Sequence, residues 1–466
     1  MKMTLNGLGW ILLSMAGLLL ASCSSGGDGG SGVNAYHFFV GNDGTTGWVL
    51  WKSDGTGGST VAVNDAQGNV VPTIDYPLPI TAVGSEHYFS GNDGSHGQEL
   101  WRSDGTASGT YMIKDIDPTN TNGGGGPQSL AAVGNTIFFS TTDGSADPTL
   151  WMTDGTETGT SQVIDNLGNP LLLPANYAVL NNVLYLKASD TDHGAELWRT
   201  DGTPAGTYLV KDIETGSADS TPTALTVLNN TLYFTASDST HGRELWQSDG
   251  TEAGTMRVTD INQSGNSLNT APTDLIAVNG VLYFAAFDGT DNELWKSDGT
   301  AAGTALVKNI NPTGSSGPNL LINLKGLLVF QANDGTNGQQ LWKSDGTDSG
   351  TQLVKKIGSG LAMAGREYVV AGNTMYFRAN DGLTGNELWK SNGTTAGTML
   401  VKDIYPGSLP ADSSSPDYFA HVGGKVFFGA NDGVHGYELW ITDGTADGTK
   451  MVKDINIGPG DGHEPT

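Results

Sequence analysis

The sequence predicts an all-β fold, a β-propeller of about nine four-stranded antiparallel blades. Three observations carry that prediction. A tryptophan returns nine times at a mean spacing of about 49 residues, at Trp51, Trp101, Trp151, Trp198, Trp246, Trp295, Trp342, Trp389 and Trp440. The interior of each unit divides into four short apolar runs separated by turn residues. The middle runs are apolar on consecutive residues, so both faces of their sheet must be covered. A period near 50 residues sits beside that of propeller repeats.

The unit that begins at Pro272 shows why each element forms. Leu275 to Val278 is a short apolar run that ends at Asn279-Gly280. That dipeptide supplies the two positive φ angles of a tight hairpin turn. Val281 to Phe287 is rich in aromatic and β-branched residues, and Asp288-Gly289 turns the chain again. Glu293 to Lys296 makes a third strand, Asp298-Gly299-Thr300 and Gly303-Thr304 bracket a loop, and Ala305 to Ile310 makes a fourth. None of these runs has the length or the three-and-four apolar spacing of a helix. In several units the fourth run ends in Lys-Asp-Ile, at Lys114, Lys211, Lys402 and Lys453. A charged residue there suits an exposed sheet edge, which puts this strand outermost and the apolar first strand near the axis.

The first unit starts at His37-Phe38-Phe39 and lacks a first strand. The last is complete and ends in "NIGPGDGHEPT", a tail too rich in Gly and Pro to be expected as the missing strand. The expectation is therefore nine blades with one short; an open β-solenoid of the same units is the alternative. Residues 34–466 form this single domain. Before it come a lysine, an apolar run from Trp10 to Ala21 and then Cys23, the only cysteine. The run is too short for a membrane span and has the proportions of a secretory signal, assigned to residues 1–22. Residues 23–33 follow as a flexible tether of Ser and Gly. A single cysteine leaves the mature chain without a disulfide. The formal charge of −27 makes nucleic acid an unsuitable partner.

Leu20-Ala21-Ser22-Cys23 resembles the lipobox of bacterial lipoproteins. The resemblance implies cleavage before Cys23 and a lipid anchor on it, and Ser24 resembles a signal for outer-membrane sorting in Gram-negative bacteria. The recurring strings ELWRSDGT (Glu99), ELWRTDGT (Glu196), ELWQSDGT (Glu244), ELWKSDGT (Glu293) and ELWITDGT (Glu438) are similar to those of the bacterial ELWxxDGT-repeat proteins. Four units depart: Val49, Thr149 and Gln340 replace the glutamate, and Asn392 replaces the aspartate. This resemblance implies an exported bacterial protein of propeller-like tandem units and brings no catalytic residue with it.

The aspartates Asp54, Asp104, Asp154, Asp201, Asp249, Asp298, Asp345 and Asp443 open tight loops, where a carboxylate accepts backbone N–H groups. Because Asn392 serves as well, the position needs an acceptor oxygen rather than an acid. The glutamate reads as the weakest letter of the motif, since Val and Thr also occur there. His96, His193, His241 and His435 share one turn position and are the candidate ligand-binding residues; elsewhere the slot holds Thr46, Ala146, Asn337 and Thr384. No metal ligand set is assigned. Calcium is the one possible cofactor, on Asp-Gly-rich loops such as that of Asp190 and Asp192, although the carboxylate series of a dedicated calcium loop is missing.

The function expected is a lipid-anchored, non-enzymatic binding or scaffold propeller of the cell envelope. It would be a monomer held by the lipid on Cys23, recognising a protein or glycan through blade-rim loops. The alternatives are a polysaccharide-active enzyme with a site in the central channel and a calcium-dependent adhesin. The least repetitive stretches, Val61 to Ile80 and Gly123 to Gly126, are where a specific ligand is expected.

Overall fold

The computed structural model of the protein describes residues 36–71, 80–119, 126–145, 147–263, 273–358, 361, 367–407, 412–457 and 463–464. The signal segment, Cys23, the tether, Ala146, Gly123 to Gly125 and residues 72–79 of the first insert lie outside them. Blades are numbered 1 to 9 here in the order of the nine tryptophans.

Blade 6 is representative: strands Thr273–Val278, Val281–Phe287, Asn292–Ser297 and Ala305–Lys308 pair antiparallel in sequence order. The expected turn is present, with Asn279 at φ 51° and Gly280 at φ 81°. Blades 2, 5, 7, 8 and 9 repeat this four-stranded meander. Blades 3 and 4 do so within one eight-stranded sheet, because Thr149 of blade 3 pairs with Leu172 of blade 4.

Blade 1 corrects the expectation of a missing strand. The tail residues His463–Glu464 pair antiparallel with His37–Asn42, opposing Gly41 and Val40. The tail needs only two residues of extended backbone there, which its composition does not prevent. Each of the nine described blades thus has four strands.

The packing shows that the ring is closed. An open stack of nine units has eight interfaces, whereas nine apolar clusters lie between successive blades. The ninth joins the ends of the chain: Phe427, Leu439 and Ile441 of blade 9 pack against Phe39, Val49 and Trp51 of blade 1. Consecutive apolar residues serve opposite interfaces, as expected. Tyr283 and Leu294 pack toward blade 7, while Leu282 and Phe284 pack toward blade 5.

The outer-strand lysines do more than guard an edge. Lys114, Lys355, Lys402 and Lys453 each donate to the carbonyl of a loop threonine in the following blade, Thr160, Thr398, Thr449 and Thr60, at 2.7–2.9 Å. The last of these bonds runs from blade 9 to blade 1.

Antiparallel order divides the loops between two ends of the ring. The turns between strands 2 and 3 and the connections to the next blade lie on one face, called face A here. Face B carries the turns between strands 1 and 2 and the SDGT loops. The N-terminal chain enters at Tyr36, before the second strand of blade 1, and therefore on face B.

Candidate functional site

On face B the SDGT loops are closed by their own side chains. Asp249 Oδ1 accepts the Thr251 N–H at 2.9 Å and the Thr251 hydroxyl at 2.7 Å; that hydroxyl in turn accepts the Gly254 N–H at 3.0 Å. The threonine hydroxyl first, then its amide, hold this carboxyl below the usual carboxylate range. Asn392 Oδ1 makes the same two bonds to Thr394, so an acceptor oxygen is what the position uses. The second glycine is required by space: a Cβ on Gly254 would overlap the Asp249 carboxylate. Eight of the nine tryptophans are almost entirely buried between blades, Trp198 at 3% and Trp246 at 7% exposure, and Trp295 is half-buried.

The glutamate before Leu-Trp proves to be a main structural residue, contrary to its reading as the weakest letter. Glu196 is fully buried. Its carboxylate accepts the N–H groups of Ile213, Glu214 and Ser220 at 3.1–3.2 Å and the Ser220 hydroxyl at 2.5 Å. Those donors line the exit from the fourth strand and the entry to the next blade. Glu293 repeats the set with Ile310, Asn311 and Ser316, and Glu387 with Ile404 and Ser414. Burial raises these carboxyls above the ordinary range, and pushes those of Glu99 and Glu244 up to about 7. In blade 7, Gln340 Oε1 accepts the Ile357 N–H at 2.8 Å, while its Nε2 donates to the Ile357 and Asn337 carbonyls. A local sequence reading misses this role because the donors lie 17 to 24 residues downstream. The signal was there all the same: the glutamate or glutamine stands only where an isoleucine follows at the strand exit.

Blades 1 and 3, with Val49 and Thr149, use another exit. Asp65 and Asp165 each close a short hairpin, accepting N–H groups from the residues two and four positions on. The third strand then donates to the returning segment: Leu50 N–H to the Val71 carbonyl, and Leu150 N–H to that of Leu171. The exit is closed here by backbone and an aspartate, without a glutamate.

The four candidate histidines stand on face A, one per blade. Each ring Nδ1 meets the aspartate three residues earlier: His96 with Asp93 at 2.7 Å, His193 with Asp190 and His241 with Asp238 at 2.9 Å, and His435 with Asp432 at 2.7 Å. These hydrogen bonds raise the imidazole pKa of His96, His193 and His435. The aspartates also accept the amides two and three residues on, as in Asp190 with Asp192 and His193. Thr46, Asn337 and Thr384 bond to their own aspartates from the same slot. The structure therefore places the histidines in separate turns and does not bring them together. Among the described residues no three His, Cys, Asp or Glu side chains are grouped so as to hold a metal ion.

Blade 3 holds an open cleft on face A. It encloses about 310 Å³ between Asp143, Ser145, Asp147, Thr149, Gln162, Pro170 and Leu172. Gln162 Nε2 bridges Asp143 Oδ2 at 3.2 Å and Thr149 Oγ1 at 3.0 Å. Thr149, which stands where most blades have the buried glutamate, is among its lining residues.

No protein-family model and no curated protein matches the chain. Among solved structures it resembles a puromycin hydrolase at 15% identity and TM-score 0.40, over 78% of this chain and 60% of that one. A study of two prolyl endopeptidases supplies a match at 10% identity and TM-score 0.42, over 70% and 49%. A puromycin-hydrolyzing peptidase of Mycobacterium tuberculosis matches at 11% and 0.39, over 71% and 52%. The chain spans about half to three-fifths of those proteins. At such similarity no residue role passes to this chain.

Proposed function

We propose that the protein is a lipid-anchored, non-enzymatic binding propeller of the bacterial cell envelope, facing the periplasm or the cell surface. It recognises a protein or a glycan with face A. One observation carries this reading: the repeat-wide aspartates, glutamates and histidines are engaged by backbone amides or side chains of their own loops and strand exits. What remains to recognise a partner is what differs between blades, and face A concentrates it. That face carries the blade-to-blade connections and the cleft of blade 3. It also carries Leu383 and Val434, 77% and 66% exposed in the adjacent blades 8 and 9.

The entry of the chain on face B supports the same orientation. Cys23 and Tyr36 are 13 residues apart, a reach of about 45 Å at full extension. An anchor on Cys23 would hold face B toward the membrane and turn face A outward. The resemblance to ELWxxDGT-repeat proteins and to a lipobox supports export and anchoring. The polysaccharide-active alternative draws on Asp143 and Asp147, acidic residues that meet in the cleft of one blade only.

Glycan arrays and pull-downs with the soluble domain from Ser24 test the binding reading, with Leu383→Asp/Val434→Asp and Asp143→Asn/Asp147→Asn as face A variants. Specific capture that either pair abolishes is the expected result. Turnover of any polysaccharide by the domain would overturn the non-enzymatic assignment.

A further inference from the structure

Blade 1, at the seam where the ring closes, has at its two interfaces residues that the other interfaces do not share. In seven blades the second-strand position before the aromatic pair is apolar and buried: Ile137, Leu184, Leu232, Leu282, Leu328, Met375 and Val426 are at most 3% exposed. In blades 1 and 2 the same position is His37 and His87, facing Ser53 and Ser103 as Leu282 faces Ser297.

Both imidazoles lie in aromatic surroundings. His37 is 8% exposed, and its ring centroid is 4.9 Å from that of Phe427 in blade 9 and 5.7 Å from that of Phe39. The His87 ring stacks on Phe38 of blade 1 at 3.9 Å. Blade 1 thus has a histidine on each side, one at its interface with blade 9 and one at its interface with blade 2. Its described inner-strand residues, His463–Glu464, come from the opposite end of the chain, so the hairpin turn that links strands 1 and 2 in the other blades is replaced there by backbone pairing across the two ends.

The charged groups on the strands around the pair are already engaged. Lys52 Nζ donates to the Gly105 carbonyl at 2.5 Å, and Lys425 Nζ to that of Asp54 at 2.5 Å. Asp54 Oδ1 accepts from Thr56 and from Ser59. Glu86 pairs with Arg102 at 2.8 Å. Among the described side chains on these strands, the carboxylates of Asp54 and Glu86 are thus already engaged.

We propose that blade 1 is an acid-sensitive latch, and that protonation of His37 and His87 loosens its interfaces with blades 9 and 2 before the interfaces between the other blades yield. Each imidazolium would be desolvated against aromatic rings, one on either side of blade 1, and the two charges would repel. Burial lowers the pKa of His37 to about 3, with the His87 charge adding to the effect, and burial lowers that of His87 to about 4. An unfolded histidine takes up its proton near 6.5. The stability that the neutral pair contributes is therefore complete above that value, and is lost as pH falls through the folded values.

The test compares the full soluble domain with His37→Leu/His87→Leu, which installs the residue of the other blades. A His37→Gln/His87→Gln variant serves as a second non-titrating form should leucine impair folding. Amide protection factors of Phe38 to Val40 and Val426 to Ala430 are measured at pH 7 and pH 4.5, with Leu282 to Ala286 of blade 6 as reference. In the unsubstituted protein the seam is expected to lose at least tenfold more protection than blade 6 on acidification. In a non-titrating variant the two regions should change alike. Equal acid losses in blade 6 and at the seam, or a seam loss that survives both substitutions, would overturn the latch.

Discussion

Blades 1 and 3 end differently from the other seven, and that difference explains the motif. Where the fourth strand leaves toward a Lys-Asp-Ile-type exit, its next amides point inward at a place with no strand to receive them. A buried carboxylate, or Gln340 in blade 7, accepts them. Where the exit turns back as an Asp-closed hairpin, at 64–70 and 164–170, backbone carbonyls meet the third strand instead, and the glutamate position becomes Val49 or Thr149. The motif letter thus follows the path of the backbone rather than a shared chemistry. In blade 3 the threonine at that position lines the cleft at Asp143.

The largest expected effect comes from forcing the two classes together. Val49→Glu places a carboxylate at a fully buried site beside an exit of the other kind, and an unpaired buried charge should cost about 4 kcal/mol in denaturant unfolding. Glu196→Ala tests the converse. It strands the amides of Ile213, Glu214 and Ser220, and a loss of about 3 kcal/mol is expected. Glu196→Gln keeps one acceptor oxygen, as in blade 7, and should lose less than half as much.

The same glutamates predict a pH dependence. The carboxyls of Glu99 and Glu244 hold their protons up to about pH 7 when folded, whereas unfolded ones release them near 4.3. The folded state binds more protons between those values, so their contribution to stability falls as pH rises through that window. Glu99→Gln/Glu244→Gln should therefore gain melting temperature relative to the unsubstituted protein as pH is raised from 5 to 8. The smallest effect concerns the face B loops. Asp104→Asn should change stability by only a few tenths of a kcal/mol, because an amide oxygen serves there; Asp104→Ala should lose about 1 kcal/mol. Thermal melts separate the two.

Much of the fold is legible in the sequence because it rests on local patterns. Asn279-Gly280 states its own turn, Leu294-Trp295 states a strand covered on both faces, and Asp298 with Gly299 states a capped loop. The illegible parts depend on partners distant in the chain. The tail pairs with Val40 some 420 residues away in sequence, and nothing in its Gly- and Pro-rich letters announces a strand. Glu293 looks dispensable until Ile310, Asn311 and Ser316 are seen around it. Lys453 looks like an edge charge until its reach to Thr60 is known. Of the candidate site, the turn histidines were legible as single positions. Their pairing with aspartates, and the cleft that Thr149 lines, required the folded chain.

Hydrogen exchange at the strand exits tests the central claim most directly, that the repeated glutamate is a buried acceptor for the backbone. The amides of Ile213 and Ser220 should exchange as slowly as those of the strand interiors, and Glu196→Ala should release them while Leu232 to Phe234 stay protected. Exchange of Ile213 and Ser220 at the rate of open loops in the unsubstituted protein would contradict that claim.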